Sequence, residues 1–243
     1  MMLLLDRGNS RLKWALTSGD DWRSGVVESV SEIPVDAAPR RVLISSVAGK
    51  DITDLLRSEI KQQWSLTSEL VATQASAYGV TNCYADCTQM GVDRWLAMVA
   101  AHACYPQGAL VVNAGTALTV DTIDAAGNML GGSIFPGPGL MLSALHQGTA
   151  DIGSSDINLK LFDTHSGIET TTEQSVVAGI SQGFVGAVER LISVYYKRLP
   201  ADAVVLVTGG WAKSLLQNNN QAMIHESDLV LKGLAIVAGA GEK

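Results

Sequence analysis

Positive charge is scarce in this sequence. Its 17 Lys and Arg are outnumbered by 24 Asp and Glu over 243 residues, for a formal net charge of -7. That balance excludes the broad basic surface needed to neutralise a nucleic-acid backbone. Cysteine is nearly absent. Cys83, Cys87 and Cys104 are odd in number, lack C-x-x-C spacing and have no neighbouring histidine pair, so neither a disulfide framework nor a zinc site is indicated. Proline numbers 6 and aromatics reach only 5%, which fits neither a collagen-like nor a proline-rich disordered chain. No apolar run approaches the roughly 20 residues that span a bilayer. The apolar start Met1–Leu5 is cut off by Asp6, Arg7 and Gly8, too early for a signal peptide and without a cleavage region. A cytoplasmic protein with no nucleic-acid or membrane partner is the expectation.

What the sequence does have is apolar and small. Hydrophobic residues make up 47% and glycine numbers 24, enough for a sizeable core with many tight turns. Met2–Asp6 reads as a buried strand. Arg11–Thr17 alternates Leu12, Trp14 and Leu16 with Arg11, Lys13 and Ala15, the pattern of a half-buried strand. A strand over Arg41–Val47 and helices over Asp51–Gln62 and Asp93–Tyr105 follow. From Ala109 the opening arrangement repeats: a strand to Val112, a small-residue turn at Asn113–Thr116, and a β-branched strand over Ala117–Ile123. Gly131–Gly139 reads as a shaped loop. Glu173–Arg198 reads as a long helix whose Gly179, Gly183 and Gly186 call for a close approach, since glycine costs a helix up to about 1 kcal/mol against alanine. Val204–Val207 is a strand, and Asp228–Ala240 a small-residue helix. The simplest division is a duplication, with an α/β lobe over 1–108 and a second over 109–243.

Chemistry concentrates at the turns. Asp6-x-Gly8-Asn9-Ser10 directly follows a buried strand, where a hairpin presents backbone N–H groups and small hydroxyls to a phosphate. A carboxylate beside a phosphate repels it unless a divalent cation intervenes, so Asp6 is read as an inner or outer ligand of Mg²⁺. Asn113-x-Gly115-Thr116-Ala117 offers a second such hairpin. Between them, Gly91-Val92-Asp93-Arg94 opens a helix. An Asp there is favourable by up to about 1 kcal/mol through capping and the dipole alone. The functional reading makes Asp93 a general base and Arg94 a clamp for an anionic group. The local pattern leaves both readings open.

Two phosphate hairpins in duplicated lobes resemble the actin, hexokinase and Hsp70-like ATPases, and Thr208-Gly209-Gly210 falls where that superfamily holds the nucleoside. A more specific resemblance rests on Asp6-Arg-Gly-Asn-Ser10, Tyr84 ahead of Gly91-Val-Asp-Arg94, Gly115-Thr116-Ala117, Gly131–Gly137, Thr172 ahead of Gly179, and Thr208-Gly-Gly210. In this order, over nearly the whole chain, they are similar to type III pantothenate kinases, a family that includes the Bvg accessory factors. The resemblance implies two similar ribonuclease H-like lobes with ATP between them and transfer of phosphate from ATP to pantothenate, the first step of coenzyme A synthesis. It implies Asp93 as the base, and Tyr84, Gly91, Val92, Arg94 and Thr172 on the substrate, with Thr172 reaching across a homodimer interface. Asp6, Arg7, Gly8, Asn9, Ser10, Lys13, Gly115, Thr116, Gly209 and Gly210 fall to the nucleotide, although Lys13 also reads as a solvated strand lysine.

One position departs from the family. Members that use K⁺ or NH₄⁺ carry Asp where this chain has Asn113, whose carbonyl brings no charge; Asp121, eight residues on, offers a compensating carboxylate. The alternatives are a non-catalytic regulatory member of the family and a kinase for another small hydroxyl substrate. His102, His146, His165 and His225 are scattered and suggest no site.

Overall fold

The computed structural model describes residues 1–149, 152, 159, 168–219 and 221–240. The first sheet grows from the apolar start of the chain. β1 (Met2–Arg7) buries Leu3, Leu4 and Leu5 completely. It turns into β2 (Leu12–Ser18), which turns again into β3 (Asp21–Val27). β4 (Arg41–Ser46) adds to β1 in parallel, the helix α1 (Lys50–Trp64) follows, and β5 (Glu69–Leu70) closes the sheet in the order β3-β2-β1-β4-β5. The period-two alternation sends Leu3, Leu5, Leu12, Trp14, Leu16, Val42 and Ile44 to one face, where Leu56 and Ile60 of α1 pack. The opposite alternation sends Asp6, Lys13 and Ser45 together to the other face.

After the small hairpin of β6 (Ser76–Ala77) and β7 (Val80–Thr81) comes α2 (Val92–Cys104). Trp95 through Ala101 are all buried, the signature of a helix enclosed on every side.

The second sheet repeats the first. β8 (Ala109–Ala114), β9 (Ala117–Ile123) and β10 (Met129–Pro136) are followed by α3 (Pro138–Gly148) and α4 (Thr172–Tyr195). Then come β11 (Val204–Thr208), α5 (Ala212–Gln217) and β12 (Ile224–His225), and the strand order is β10-β9-β8-β11-β12. β8 pairs antiparallel with β9 and parallel with β11, as β1 does with β2 and β4. Val112, Leu118, Val120 and Val207 pack against Phe184, Val188 and Ile192 of α4. The run Thr172–Arg198 is, by length and composition alone, apolar enough to cross a membrane, with a mean hydropathy of 1.2 in its window. The expectation that no run approaches that length therefore needs amending, although the apolar side of this helix is taken up by the second core.

One further expectation is corrected. Gly131–Gly139 is mostly strand: β10 runs to Pro136, and Gly132 lies so close to β9 that a Cβ would stand 2.2 Å from Asp121 Oδ1. Gly132 permits this close approach of β10 to its neighbour β9. Conversely, Gly179, Gly183 and Gly186 of α4 have no described atom within 4 Å of where a Cβ would sit, so they meet no close neighbour among the described residues.

The chain divides into two compact units, one of Met1–Pro106, Ala125–Leu130 and the stretch from Asp228, the other of Gln107–Asp124 and Gly131–Ser227. The first break falls between Pro106 and Gln107, and the last helix, α6 (Leu229–Ala240), belongs with the first unit. The reason is packing. A Cβ on Gly233 would stand 2.2 Å from Leu96 O, so α6 lies directly on α2. Asp228, just before α6, accepts hydrogen bonds from Trp22 Nε1 (3.1 Å) and Ser24 Oγ (2.6 Å) of β3. The 125–130 turn joins the same unit because Thr81 N–H donates to Gly127 O at 2.9 Å.

Gly233→Ala is expected to destabilise the protein by about 1–3 kcal/mol through overpacking. Thermal unfolding would show this as a drop of roughly 2–4 °C per kcal/mol; an unchanged Tm would mean that α2 and α6 separate without cost.

Candidate active site

Register assembles the first part of the site. Lys13, Asp6 and Ser45 lie side by side across β2, β1 and β4. Asp6 is 9% exposed, and Ser45, wholly buried, donates its hydroxyl to Asp6 Oδ1 at 3.1 Å. Burial pushes the Asp6 carboxyl up to about 6, with the negative Asp93 adding to the rise, while Lys13 and the Ser45 hydroxyl oppose it. Lys13 is the neighbour of Asp6 across the β1–β2 pairing, half-buried there, and its charge opposes the rise.

The second part comes from the start of α2. Asp93 sits in its first turn, and its Oδ1 accepts the N–H of Arg94 at 2.8 Å. Burial raises the proton affinity of Asp93; the Arg94 N–H and the Arg94 charge pull the other way without cancelling the rise. The folded-back carboxylate explains Gly91, where a Cβ would stand 2.6 Å from Asp93 Oδ1. Arg94 is 5% exposed, and its Nη1 donates to Tyr84 Oη at 2.9 Å. Tyr84 is held in turn by its N–H, which donates to Asn82 Oδ1 at 2.9 Å. A phenol is a neutral partner for a guanidinium, and a carboxylate is a stronger, bidentate one. The pair is thus suited to receive a small acid.

The hairpins are closed by their own glycines. Gly8 N–H donates to Arg11 O and Gly115 N–H to Ala117 O, each at 3.1 Å. Those two amides are engaged within the turns themselves. Arg7 Nε is buried and meets no acceptor among the described residues. In the second unit the hairpin is gripped by backbone. Gly137 N–H donates to Thr116 O at 3.0 Å and Trp211 N–H to Ala114 O at 2.9 Å. Gly209, with φ +96°, lies so close that a Cβ would meet Ala114 backbone at 2.5 Å. This fixes the Thr208-Gly209-Gly210 turn against the Asn113–Ala117 hairpin. Asn113 pairs with Thr119 and Thr208, and the buried Asp121 lies one step further along the same face of β9.

The structure thus brings Asp6, Lys13, Tyr84, Gly91, Asp93 and Arg94 into the first unit, and Asn113, Gly115, Thr116, Gly209 and Gly210 into the second. Thr172 is in the second unit as well, exposed at the start of α4 and lining a groove of about 900 Å³ with Leu140, Met141 and Val176. His165 lies outside the described residues. Sequence reasoning missed Ser45 and Asn82. The Asn82-x-Tyr84 spacing was a usable signal, since Asn side chains cap the backbone two residues on.

The Asp6 carboxyl titrates near 6 in the folded chain and near its ordinary 3.8 when unfolded. The folded state therefore loses stability as pH rises from about 4 to about 6, and the loss persists above that window. A shift of this size corresponds to about 3 kcal/mol. Urea unfolding without divalent ions is expected to find Asp6→Asn more stable than the parent at pH 7.5 by up to that amount, and equal to it near pH 4. Lower stability at pH 7.5 would contradict the buried charge.

Comparison with known proteins places the chain in a family. The family model for type III pantothenate kinase matches residues 2–194. The type III pantothenate kinase of Halorhodospira halophila is 36% identical over 249 residues, covering 96% of each chain. Among solved structures, a Baf family transcriptional activator from Campylobacter jejuni superposes with a TM-score of 0.60 at 20% identity, covering 99% of this chain and 100% of its own. The activator of 2-hydroxyisocaproyl-CoA dehydratase from Clostridium difficile, with bound ADPNP, gives 0.55 at 13% identity, covering 99% and 94%. These structures share the α/β fold of the actin and hexokinase class, in keeping with the repeated sheet. With a family model over most of its length and a near-full-length relative of this identity, the chain belongs to the type III pantothenate kinases.

Proposed function

We propose that Asp93 is the general base of this chain's reaction and that Arg94 and Tyr84 receive its substrate. The reaction is the ATP-dependent phosphorylation of pantothenate to 4′-phosphopantothenate, at the start of coenzyme A biosynthesis. The observation that carries the assignment is a carboxylate whose proton affinity is raised by burial, one residue from a buried guanidinium. Asp93 accepts the proton of the primary hydroxyl as its oxygen bonds to the γ-phosphorus. The bond from that phosphorus to the β–γ bridging oxygen breaks, and ADP leaves. Arg94, steadied by Tyr84, takes the pantothenate carboxylate, with Gly91 and Val92 beside it. Phosphoryl transfer asks a protein mainly for positioning and charge stabilisation.

The nucleotide segments are assigned by unit. Asp6-Arg7-Gly8-Asn9-Ser10 and Lys13 serve the phosphates in the first. Gly115 and Thr116 do so in the second, with Gly209 and Gly210 toward the nucleoside. Asp6 lies in the field of a second carboxylate, Asp93, with Lys13 beside it across the β1–β2 pairing, and two carboxylates near one another favour a cation, so Asp6 fits a role as Mg²⁺ ligand. Bound there, Mg²⁺ supplies neutralisation of the phosphate charge. Among the described residues no three His, Cys, Asp or Glu side chains form a metal site, which favours an ion that arrives with the nucleotide. Asn113 offers a carbonyl without charge, so K⁺ or NH₄⁺ is read as a weak activator. The reaction is placed in the cytoplasm, and no nucleic-acid or membrane partner is assigned.

A coupled ADP-release assay tests the base. Asp93→Asn is expected to lower kcat by about 10²–10⁴-fold with ATP binding retained, and parent turnover is expected to change little with K⁺. Unchanged turnover in Asp93→Asn would remove the assignment.

We further read the chain as a homodimer that brings Thr172 to the partner's substrate. The support is the face holding Gly179, Gly183 and Gly186, open along α4 among the described residues, on the helix that also exposes Val194 at 37%. Sedimentation is expected to find a dimer for the parent and a monomer for Gly183→Leu, with a raised KM for pantothenate. A Gly183→Leu dimer would place the interface elsewhere.

A further inference from the structure

We propose that Ser45 is a positioning residue for the nucleotide's divalent ion: its hydroxyl occupies Oδ1 of Asp6 and leaves the other carboxylate oxygen for the cation. The proposal rests on the reading of Asp6 as the ligand of that ion.

Three observations converge on Ser45. It is wholly buried in the middle strand pairing of the first sheet, where β1 and β4 run parallel and place it directly beside Asp6. Its hydroxyl donates to Asp6 Oδ1 at 3.1 Å, and no other side-chain hydrogen bond to Asp6 is present among the described residues. The opposite flank of Asp6 is held by Lys13, a charge without fixed direction, whereas the hydroxyl fixes an orientation. Carboxylate rotation is soft about its last torsion, so an anchored oxygen is what converts a buried negative charge into a directed ligand.

The duplicated sheet repeats the arrangement. The row Lys13–Asp6–Ser45 corresponds by register to Thr119–Asn113–Thr208 in the second unit. The acid and the lysine have become neutral there, and the hydroxyl of Thr208 is turned to Ser227 O at 3.5 Å. A hydroxyl therefore stands at this register in both units, but it serves a carboxylate only where a carboxylate is present.

The test is Mn²⁺ binding, followed by electron paramagnetic resonance, in the presence of a non-hydrolysable ATP analogue. Ser45→Ala and the near-isosteric Ser45→Cys are compared with Asp6→Asn and the parent, and pantothenate affinity and Tm are measured alongside. Both Ser45 variants are expected to bind Mn²⁺ about tenfold more weakly, the worth of a hydrogen bond to a charged group, with pantothenate affinity unchanged. Ser45→Cys guards against a folding defect in the alanine variant. Parent-like Mn²⁺ affinity in both Ser45 variants, with a loss in Asp6→Asn, overturns the role of Ser45 and leaves Asp6 as the ligand. Parent-like affinity in Asp6→Asn overturns both readings. A parallel fall of Mn²⁺ affinity, pantothenate affinity and Tm in the Ser45 variants marks a purely structural hydroxyl and also overturns the proposal.

Discussion

Two carboxylates, Asp6 and Asp93, are buried within each other's field, and much of the first unit is arranged around that fact. A buried charge is costly unless it is paired or hydrogen-bonded. Here the compensation comes from several directions at once: Lys13 across the antiparallel pair, Ser45 across the parallel pair, and the first-turn N–H of Arg94 on α2. None of these neutralises the pair completely. Both proton affinities stay raised, which is a defect by the standard of stability and an asset by the standard of chemistry. Gly91 belongs to the same arrangement, since only a residue without a side chain lets the Asp93 carboxylate fold back over the helix start.

The duplicated sheet shows how one framework came to hold two kinds of site. In the first unit the central row is ionic and directs side chains. In the second the corresponding row is neutral, and the hairpin is held by backbone contacts from Gly137, Gly209 and Trp211. A backbone-lined turn presents fixed dipoles that need no proton balance. A side-chain row presents charge that can be shared or transferred. Phosphoryl transfer can draw on both, since it asks a protein for positioning and for charge stabilisation.

Much of this was legible in the sequence where the information is local. An apolar run located β1 and alternation located β2, and the repeat of strand, small-residue turn and strand located β8 and β9. The Gly91-Val92-Asp93-Arg94 element was legible because the chemistry and the helix start coincide in four residues. Non-local contacts were not legible. Nothing in Arg41–Ser46 distinguishes Ser45 from Ser46; its meaning comes from Asp6, 39 residues away, through a parallel pairing that sequence pattern does not register. Glycines illustrate the same limit. Those of α4 drew notice by their spacing yet meet no described neighbour, whereas Gly233 sits against the Leu96 carbonyl with no signal in its surroundings. Period reports which face a residue joins, and register reports whom it meets there.

The return of α6 to the first unit sets the order of events during synthesis. Asp6, Lys13, Ser45 and Asp93 all leave the ribosome early, but the helix that covers α2 is encoded after the entire stretch of Gln107–Ser227. At roughly 5–20 residues per second, the nascent first unit waits several seconds or more with the flank of α2 around Leu96 uncovered. The second unit, whose sheet and α4 core are drawn from one nearly continuous segment, is complete before the first. The N-terminal half of this enzyme is thus first to be made and last to be finished.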